Sequence, residues 1–165
     1  MSEINTSSLS KNQKFLKFDI AENFVCVRFL DQNKERFELE FNLEKGTSFN
    51  TFLIKSNGEL FIIHPPEKQY FNSFNKVVCN LFDQFHLDKI NIITGHINPQ
   101  IIETIKNIST QFQNIVITCS NPGFKLISEL WNQRNPNLEN FVEIQLPKIN
   151  IIKKDLNLEL DDTLL

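Results

Sequence analysis

The chain has 165 residues, 41% of them hydrophobic and 22% charged, and 17 Lys+Arg against 20 Asp+Glu give a formal net charge of −3. That is roughly one domain with enough apolar side chain for a core, and its acidic balance disfavours a partner recognised through nucleic-acid phosphates. The apolar runs are far shorter than the ~20 residues of a bilayer span, and Met1 to Lys14 is too polar for a signal peptide, so a soluble, cytoplasmic protein with no membrane partner is expected.

In chain order, residues 1–14 carry Ser, Asn and Lys with almost nothing apolar, the composition of a disordered tail. Phe24 to Phe41 (FVCVRFLDQNKERFELEF) reads as two alternating runs around the polar turn Asp31-Gln32-Asn33-Lys34, a hairpin signature. Phe49–Lys55 and Glu59–Ile63 follow as strands across Ser56-Asn57-Gly58, because Asn-Gly tolerates the positive φ of a tight hairpin turn. Between Glu67 and His86 the period changes. Apolar residues at 70, 71, 74, 77, 78, 81, 82 and 85 trace a helical stripe, and Pro65-Pro66 marks its start.

Ile90–Thr94 is the next strand. It leads to Asn98-Pro99, an N-cap followed by the first helical position, and to the stripe Ile101, Ile102, Ile105, Ile108, Phe112. The same punctuation recurs after Ile115–Thr118, where Asn121-Pro122 precedes Phe124, Ile127, Leu130 and Trp131. Phe141–Leu146 and Ile149–Leu160 complete the candidate strands, and the last of them have nothing downstream to pair with. The fold class is therefore α/β, leaning to α+β: an antiparallel meander continuing into a parallel β-α-β sheet covered by helices. No linker divides residues 15–165, which read as one partial domain.

Cys26, Cys79 and Cys119 form an odd, widely spaced set without C-x-x-C, the pattern of free thiols rather than of a disulfide framework or zinc ribbon. The aromatics are 16 Phe, one Tyr and one Trp, a composition of core filler rather than of stacking platforms. In open α/β sheets ligands collect beyond the carboxyl ends of the parallel strands. His64, His96 and Cys119 all fall there, and imidazole with thiolate is a zinc- or iron-binding set. Capped loop histidines and a small buried thiol are the bland reading of the same three residues, and the spacing favours it. His86, at the end of the long helix, reads as a partner of the helix dipole.

Other motifs fall short. Ser120 sits at a strand-to-helix turn, but TCSNPGF is not the G-x-S-x-G of an acyl-transfer nucleophile. Lys45-Gly46-Thr47-Ser48 lacks the glycines and following helix of a phosphate loop, and Glu159-Leu160-Asp161-Asp162 lacks the spacing of a calcium loop. No G-x-G-x-x-G is present, which leaves a dinucleotide cofactor without support.

Three phrases, FELEFNLEKGTSFNTFLIKSNGELFIIHPP, INIITGHINPQ and VITCSNPGFKLISELW, together resemble the N-terminal metallo-β-lactamase-like domain of flavodiiron proteins, over about residues 20–160. The resemblance implies an αββα sandwich, and in the family a His-x-Glu-x-Asp-His segment supplies ligands to a di-iron centre that reduces oxygen or nitric oxide. Electrons come from a flavodoxin-like domain carrying FMN, which is not in this chain. His96 matches the first histidine, whereas Asn98 stands at the Glu, Gln100 at the Asp and Ile101 at the second His. His64 takes the place of a strand-end aspartate. A neutral amide brings no charge to offset two metals, and isoleucine cannot ligate.

The expected function is thus a degenerate, truncated flavodiiron-like protein acting as a binding or assembly module, with no catalytic residue and no cofactor. A homo-oligomer or a protein partner would complete the sandwich. The alternative is an oxidoreductase or hydrolase with an altered iron or zinc site on His96, His64 and Cys119. A free-standing doubly wound ligand-binding domain rests on the β-α-β alternation alone.

Overall fold

Alternation of apolar side chains early in the chain and 3.6-residue stripes later give one sheet with helices on one face. The computed structural model describes residues 13–37, 41–42, 44–131 and 144–152. The strands are β1 (Gln13–Ala21), β2 (Phe24–Asp31), β3 (Arg36–Phe37), β4 (Phe41–Asn42), β5 (Thr47–Ser56), β6 (Glu59–Ile63), β7 (Lys89–Thr94), β8 (Ile115–Ser120) and β9 (Lys148–Ile152). Helices α1 (Phe71–Gln84), α2 (Pro99–Ser109) and α3 (Asn121–Trp131) lie between the later strands. Seven strands form the sheet in the order β1-β2-β5-β6-β7-β8-β9, antiparallel from β1 to β6 and parallel from β6 to β9. The meander and its parallel continuation are as the sequence predicts.

The hairpin expected over 24–41 is not formed. β2 does turn at Asp31, but its partners among the described residues are β1 and β5, while β3 pairs with β4. The reason is register: β5 offers eight residues that set Val25 opposite Leu53 and Phe29 opposite Phe49. Those matched core-facing pairs outweigh the local pairing that the turn at Asp31 suggests. β1, unmarked in the sequence reading, starts at Gln13 and sets Phe15 opposite Phe29. At the β5–β6 turn Asn57 and Gly58 have φ of 51° and 74°, the tight turn that Asn-Gly predicts.

Helix α1 begins at Phe71 after a 3₁₀ turn at Lys68–Tyr70, a few residues later than the Pro65-Pro66 signal suggests. It ends with His86 at φ 49°, where the Leu87 amide donates to the Phe82 carbonyl across the left-handed residue. At α2 the Asn98 side chain accepts from the Ile101 amide at 2.9 Å, with Pro99 opening the helix. The parallel expectation at Asn121 is one residue off. Helix α3 starts directly at the end of β8, and Ser120 Oγ accepts from the Gly123 amide instead. Residues 144–147 are not a strand, and β9 pairs with β8, so this segment does have a partner within the chain. The expectations for residues 1–12, 141–143 and 153–162 lie outside the described residues, whereas Gln13 and Lys14, expected in the disordered tail, are in β1 and pair with Asp31 and Leu30.

The register divides the sheet into two unlike faces. Val27, Phe29, Leu53, Leu60, Ile62, Ile90, Ile92 and Ile117 are fully buried and share one core with Phe74 and Val78 of α1, Ile102, Ile105 and Ile108 of α2 and Ile127 of α3. The alternate residues, among them Phe18, Phe24, Phe52, Phe61, Ile63 and Ile93, stay half-buried and join no part of that core. Phe24 and Phe52 touch there with ring centroids 5.8 Å apart, and Arg28 lies 5.5 Å from the Phe18 ring. The polar groups of this second face are largely self-satisfied: Lys89 Nζ donates to Glu59 at 2.9 Å and Asn91 adds a second donor. The Lys89 contact holds the Glu59 carboxyl below its ordinary range. Among the described residues no helix is long and apolar enough to cross a membrane.

Candidate functional site

A crevice of about 810 Å³ opens where the carboxyl ends of β6 and β7 meet the starts of α2 and of the 3₁₀ turn. β6 delivers His64 with φ 55°, a conformation that costs a non-glycine residue energy. The backbone around it is clamped: the His64 amide donates to Ile93 O at 3.0 Å, and Thr51 Oγ1 donates to His64 O at 2.6 Å. That clamp swings the imidazole over Gly95, with its Cε1 3.8 Å from where a Cβ on Gly95 would stand. From β7, Thr94 Oγ1 donates to the His96 carbonyl at 2.6 Å and fixes the turn that exposes the second imidazole. His64 and His96 therefore line one crevice, together with Asn98, Gln100 and Ile101.

Cys119 ends up elsewhere. It lies at the same end of the sheet, paired with Thr94, but its side chain is fully buried in the core and does not line the crevice. Burial pushes its thiol pKa up, the opposite of what a reactive or ligating thiolate needs. Among the described residues no group of three or more His, Cys, Asp or Glu side chains is placed to hold a metal ion.

The far wall carries residues that the sequence reading treated as turn and filler. Asp31, only 4% exposed, accepts from Tyr70 OH at 2.7 Å and from the Asn33 amide at 3.0 Å. Tyr70 is buried with its ring 4.8 Å from that of Phe29 and 5.7 Å from that of Phe49. Burial first, and then the hydrogen bond to Asp31, push the Tyr70 phenol above its ordinary pKa. Lys34 Nζ reaches both Glu67 oxygens at 2.9 and 3.0 Å while lying 4.4 Å from the Phe49 ring centroid. The available signal was compositional: a single Tyr among 16 Phe marks a position that uses a hydroxyl.

No protein-family model matches the chain. Diflavin flavoprotein A 6 of Nostoc sp. (strain PCC 7120) is 33% identical over 105 residues, which is 63% of this chain and 18% of that protein. Among solved structures, the metal-soaked Flv1 flavodiiron core from Synechocystis sp. PCC6803 superposes with a TM-score of 0.70 at 24% identity, covering 91% of this chain and 34% of that one. A fragment of diflavin flavoprotein A 5 from Nostoc sp. PCC 7120 gives the same TM-score, over 92% of this chain and 55% of that one. This is a flavodiiron-like metallo-β-lactamase fold. The chain spans about a fifth of the length of the curated relatives it matches.

Within the flavodiiron-like fold, the residues of the GHINPQI segment divide by task. His96 is exposed, so His96→Ala should change stability by less than about 0.5 kcal/mol. Asn98→Ala removes the α2 cap and should cost about 1 kcal/mol, a melting-point loss of a few degrees. Thermal melts of the two variants side by side check the contrast. Equal losses would mean that the His96 side chain carries a structural bond of its own.

Proposed function

We propose that this chain is a binding and assembly module on a flavodiiron-like fold that lacks di-iron catalysis, residues 15–165 belonging to one domain that β1 begins at Gln13. The observation that carries the reading is Asn98. Its amide oxygen is committed to capping α2, beside Gln100, whose side chain is a neutral amide, and Ile101, which is buried at 6% exposure. These are the three positions where the resemblance places Glu, Asp and His ligands. The two carboxylates that line the crevice are engaged with protein donors, Asp31 with Tyr70 and Glu67 with Lys34. This donor set does not fit a di-iron centre, which needs carboxylate charge to offset its metals.

The assembly role rests on the second face of the sheet. Phe24, Phe52, Phe61 and Ile93 are half-buried there, and Ile20 is 54% exposed. Apolar side chains left half-buried on this face favour a covering layer, either a second copy or a partner chain. The alternative, an oxidoreductase or hydrolase with an altered metal site, draws on the two imidazoles sharing one crevice. Two measurements on untagged protein decide. Light scattering should report a dimer or larger species, and elemental analysis should find no stoichiometric iron or zinc. A well-behaved monomer at high concentration defeats the assembly role, and near-stoichiometric metal turns the reading to the alternative.

A further inference from the structure

The strand at one edge of the sheet carries a charge pattern that is complementary to itself. β1 heads the strand order and, among the described residues, pairs with β2 alone, so its outer edge presents backbone N–H and C=O groups to a further strand. Its sequence runs Lys14-Phe15-Leu16-Lys17-Phe18-Asp19-Ile20-Ala21, and Glu22 follows in the turn. Counted outward from Phe18, every charge has its opposite at the mirror position: Lys17 against Asp19 and Lys14 against Glu22. Lys14, Asp19 and Glu22 are exposed, and Lys17 is half-buried.

Antiparallel pairing with a second copy turns that mirror into contacts. Opposed residues of an antiparallel pair lie on the same face, so the twofold axis between two copies of one strand passes through a residue. With Lys17 or Asp19 on the axis, that residue meets its own like charge. With Phe18 there, Lys17 of each copy meets Asp19 of the other, Lys14 meets Glu22, and Leu16 meets Ile20. A parallel arrangement in register sets like charge against like throughout, which is destabilising.

Ile20 points to the same edge independently. A register shift between Asp19 and Ala21 leaves it without a counterpart on β2, and at 54% exposure it is the most exposed large apolar side chain among the described residues. Bulges and edge lysines ordinarily discourage edge pairing. On β1 the lysines are balanced by acids of the same strand, as the 2.8 Å contact of Lys17 Nζ with Asp19 shows, so these charges select one register rather than forbid all of them. β9, at the other end of the strand order, carries Lys148 and no acid, and a β1–β9 contact would be head-to-tail and leave a free edge at each end.

We propose that the β1 edge takes a second copy of this chain, paired antiparallel about Phe18 so that the two seven-stranded sheets join into one. The proposal rests on the assembly role given above, and it names the partner and the register.

Sedimentation velocity over a concentration series, on the full chain and two variants, tests it. Lys17→Asp opposes two acids across the axis and Asp19→Lys opposes two lysines, so each variant alone should dimerise at least about tenfold more weakly than the parent. Within one strand each change removes only an exposed ion pair of little weight. Mixed one to one, the two variants are complementary again and should form a heterodimer with an affinity near that of the parent, a recovery that also shows both to be folded. A parent dimer with both variants unchanged places the interface elsewhere and overturns this proposal while the assembly role stands. Variants that weaken but do not recover on mixing overturn it as well, since the lost contact is then not between Lys17 and Asp19. A parent that stays monomeric at high concentration defeats the assembly role and this proposal together.

Discussion

Deleting a single oxygen atom by Tyr70→Phe should cost about 1–3 kcal/mol of folding stability, read as a shift of the denaturation midpoint. The ring packs between Phe29 and Phe49 whether or not it bears a hydroxyl, so the loss belongs to the bond with Asp31. Asp31 is 4% exposed, so losing this donor leaves a buried acceptor costly to satisfy. Tyr70→Ala should add the cavity of a buried ring and reach about 3–5 kcal/mol. The same bond predicts behaviour in alkali. Because the folded-state pKa of Tyr70 is raised above its ordinary value near 10, its contribution is fully present below pH 10. It is lost as pH rises further, since the unfolded chain then sheds the proton and the folded one does not. The chain has one tyrosine, so phenolate absorbance reads this site alone, and the Tyr70→Phe protein should show a flatter stability curve above pH 10. Phenolate forming near pH 10 in the folded protein would mean that Tyr70 is neither buried nor bonded to Asp31.

How much of this was legible depended on whether the signal was local. Asn57-Gly58 specifies its own turn through two positive φ angles, and Asn98-Pro99 specifies its own cap. The parallel half was equally readable, because Ile90–Thr94 and Ile115–Thr118 are apolar runs separated by a helical stripe, and such an order leaves few topologies. Pairing over distance was not readable. Nothing near Phe37 announces that β2 will prefer β5, since that choice is made by eight matched residues on a strand sixteen positions further on. β1 was hidden for a related reason: FLKFDI alternates, but it adjoins a polar tail and gains its meaning only when Phe15 meets Phe29.

The crevice shows the same division. Strand-end position was enough to bring His64 and His96 together, since both leave the carboxyl ends of neighbouring parallel strands. Cys119 also ends a neighbouring strand, yet the two-residue period of β8 turns it to the core face with Ile115 and Ile117. Asp31, Lys34, Glu67 and Tyr70 were invisible as a group because they come from a turn, a loop and a 3₁₀ segment. Only tertiary packing brings Asp31, Lys34 and Glu67 into one wall, with Tyr70 buried behind Asp31.

Rebuilding the three residues that the resemblance finds missing should show how far the core has adapted to their loss. Asn98→Glu lengthens the capping side chain and should forfeit about 1 kcal/mol at the α2 N-terminus. Ile101→His places an imidazole where an isoleucine is buried at 6% exposure, and should cost about 2–4 kcal/mol in lost apolar burial and an unsatisfied ring nitrogen. Gln100→Asp is exposed and nearly neutral. The triple variant should therefore melt roughly ten degrees below the parent protein without metal. With two carboxylates and a second imidazole beside His96 it should then bind Fe²⁺ or Zn²⁺. Ligation to the folded state alone adds about 2.7 kcal/mol at a metal concentration one hundred times Kd, so much of the lost melting temperature should return. The parent protein, with amides and an isoleucine at those positions, should show no metal-dependent shift. A parent that gains as much as the variant would mean that His64 and His96 already complete a metal site, and the reading of this crevice as metal-free would fall.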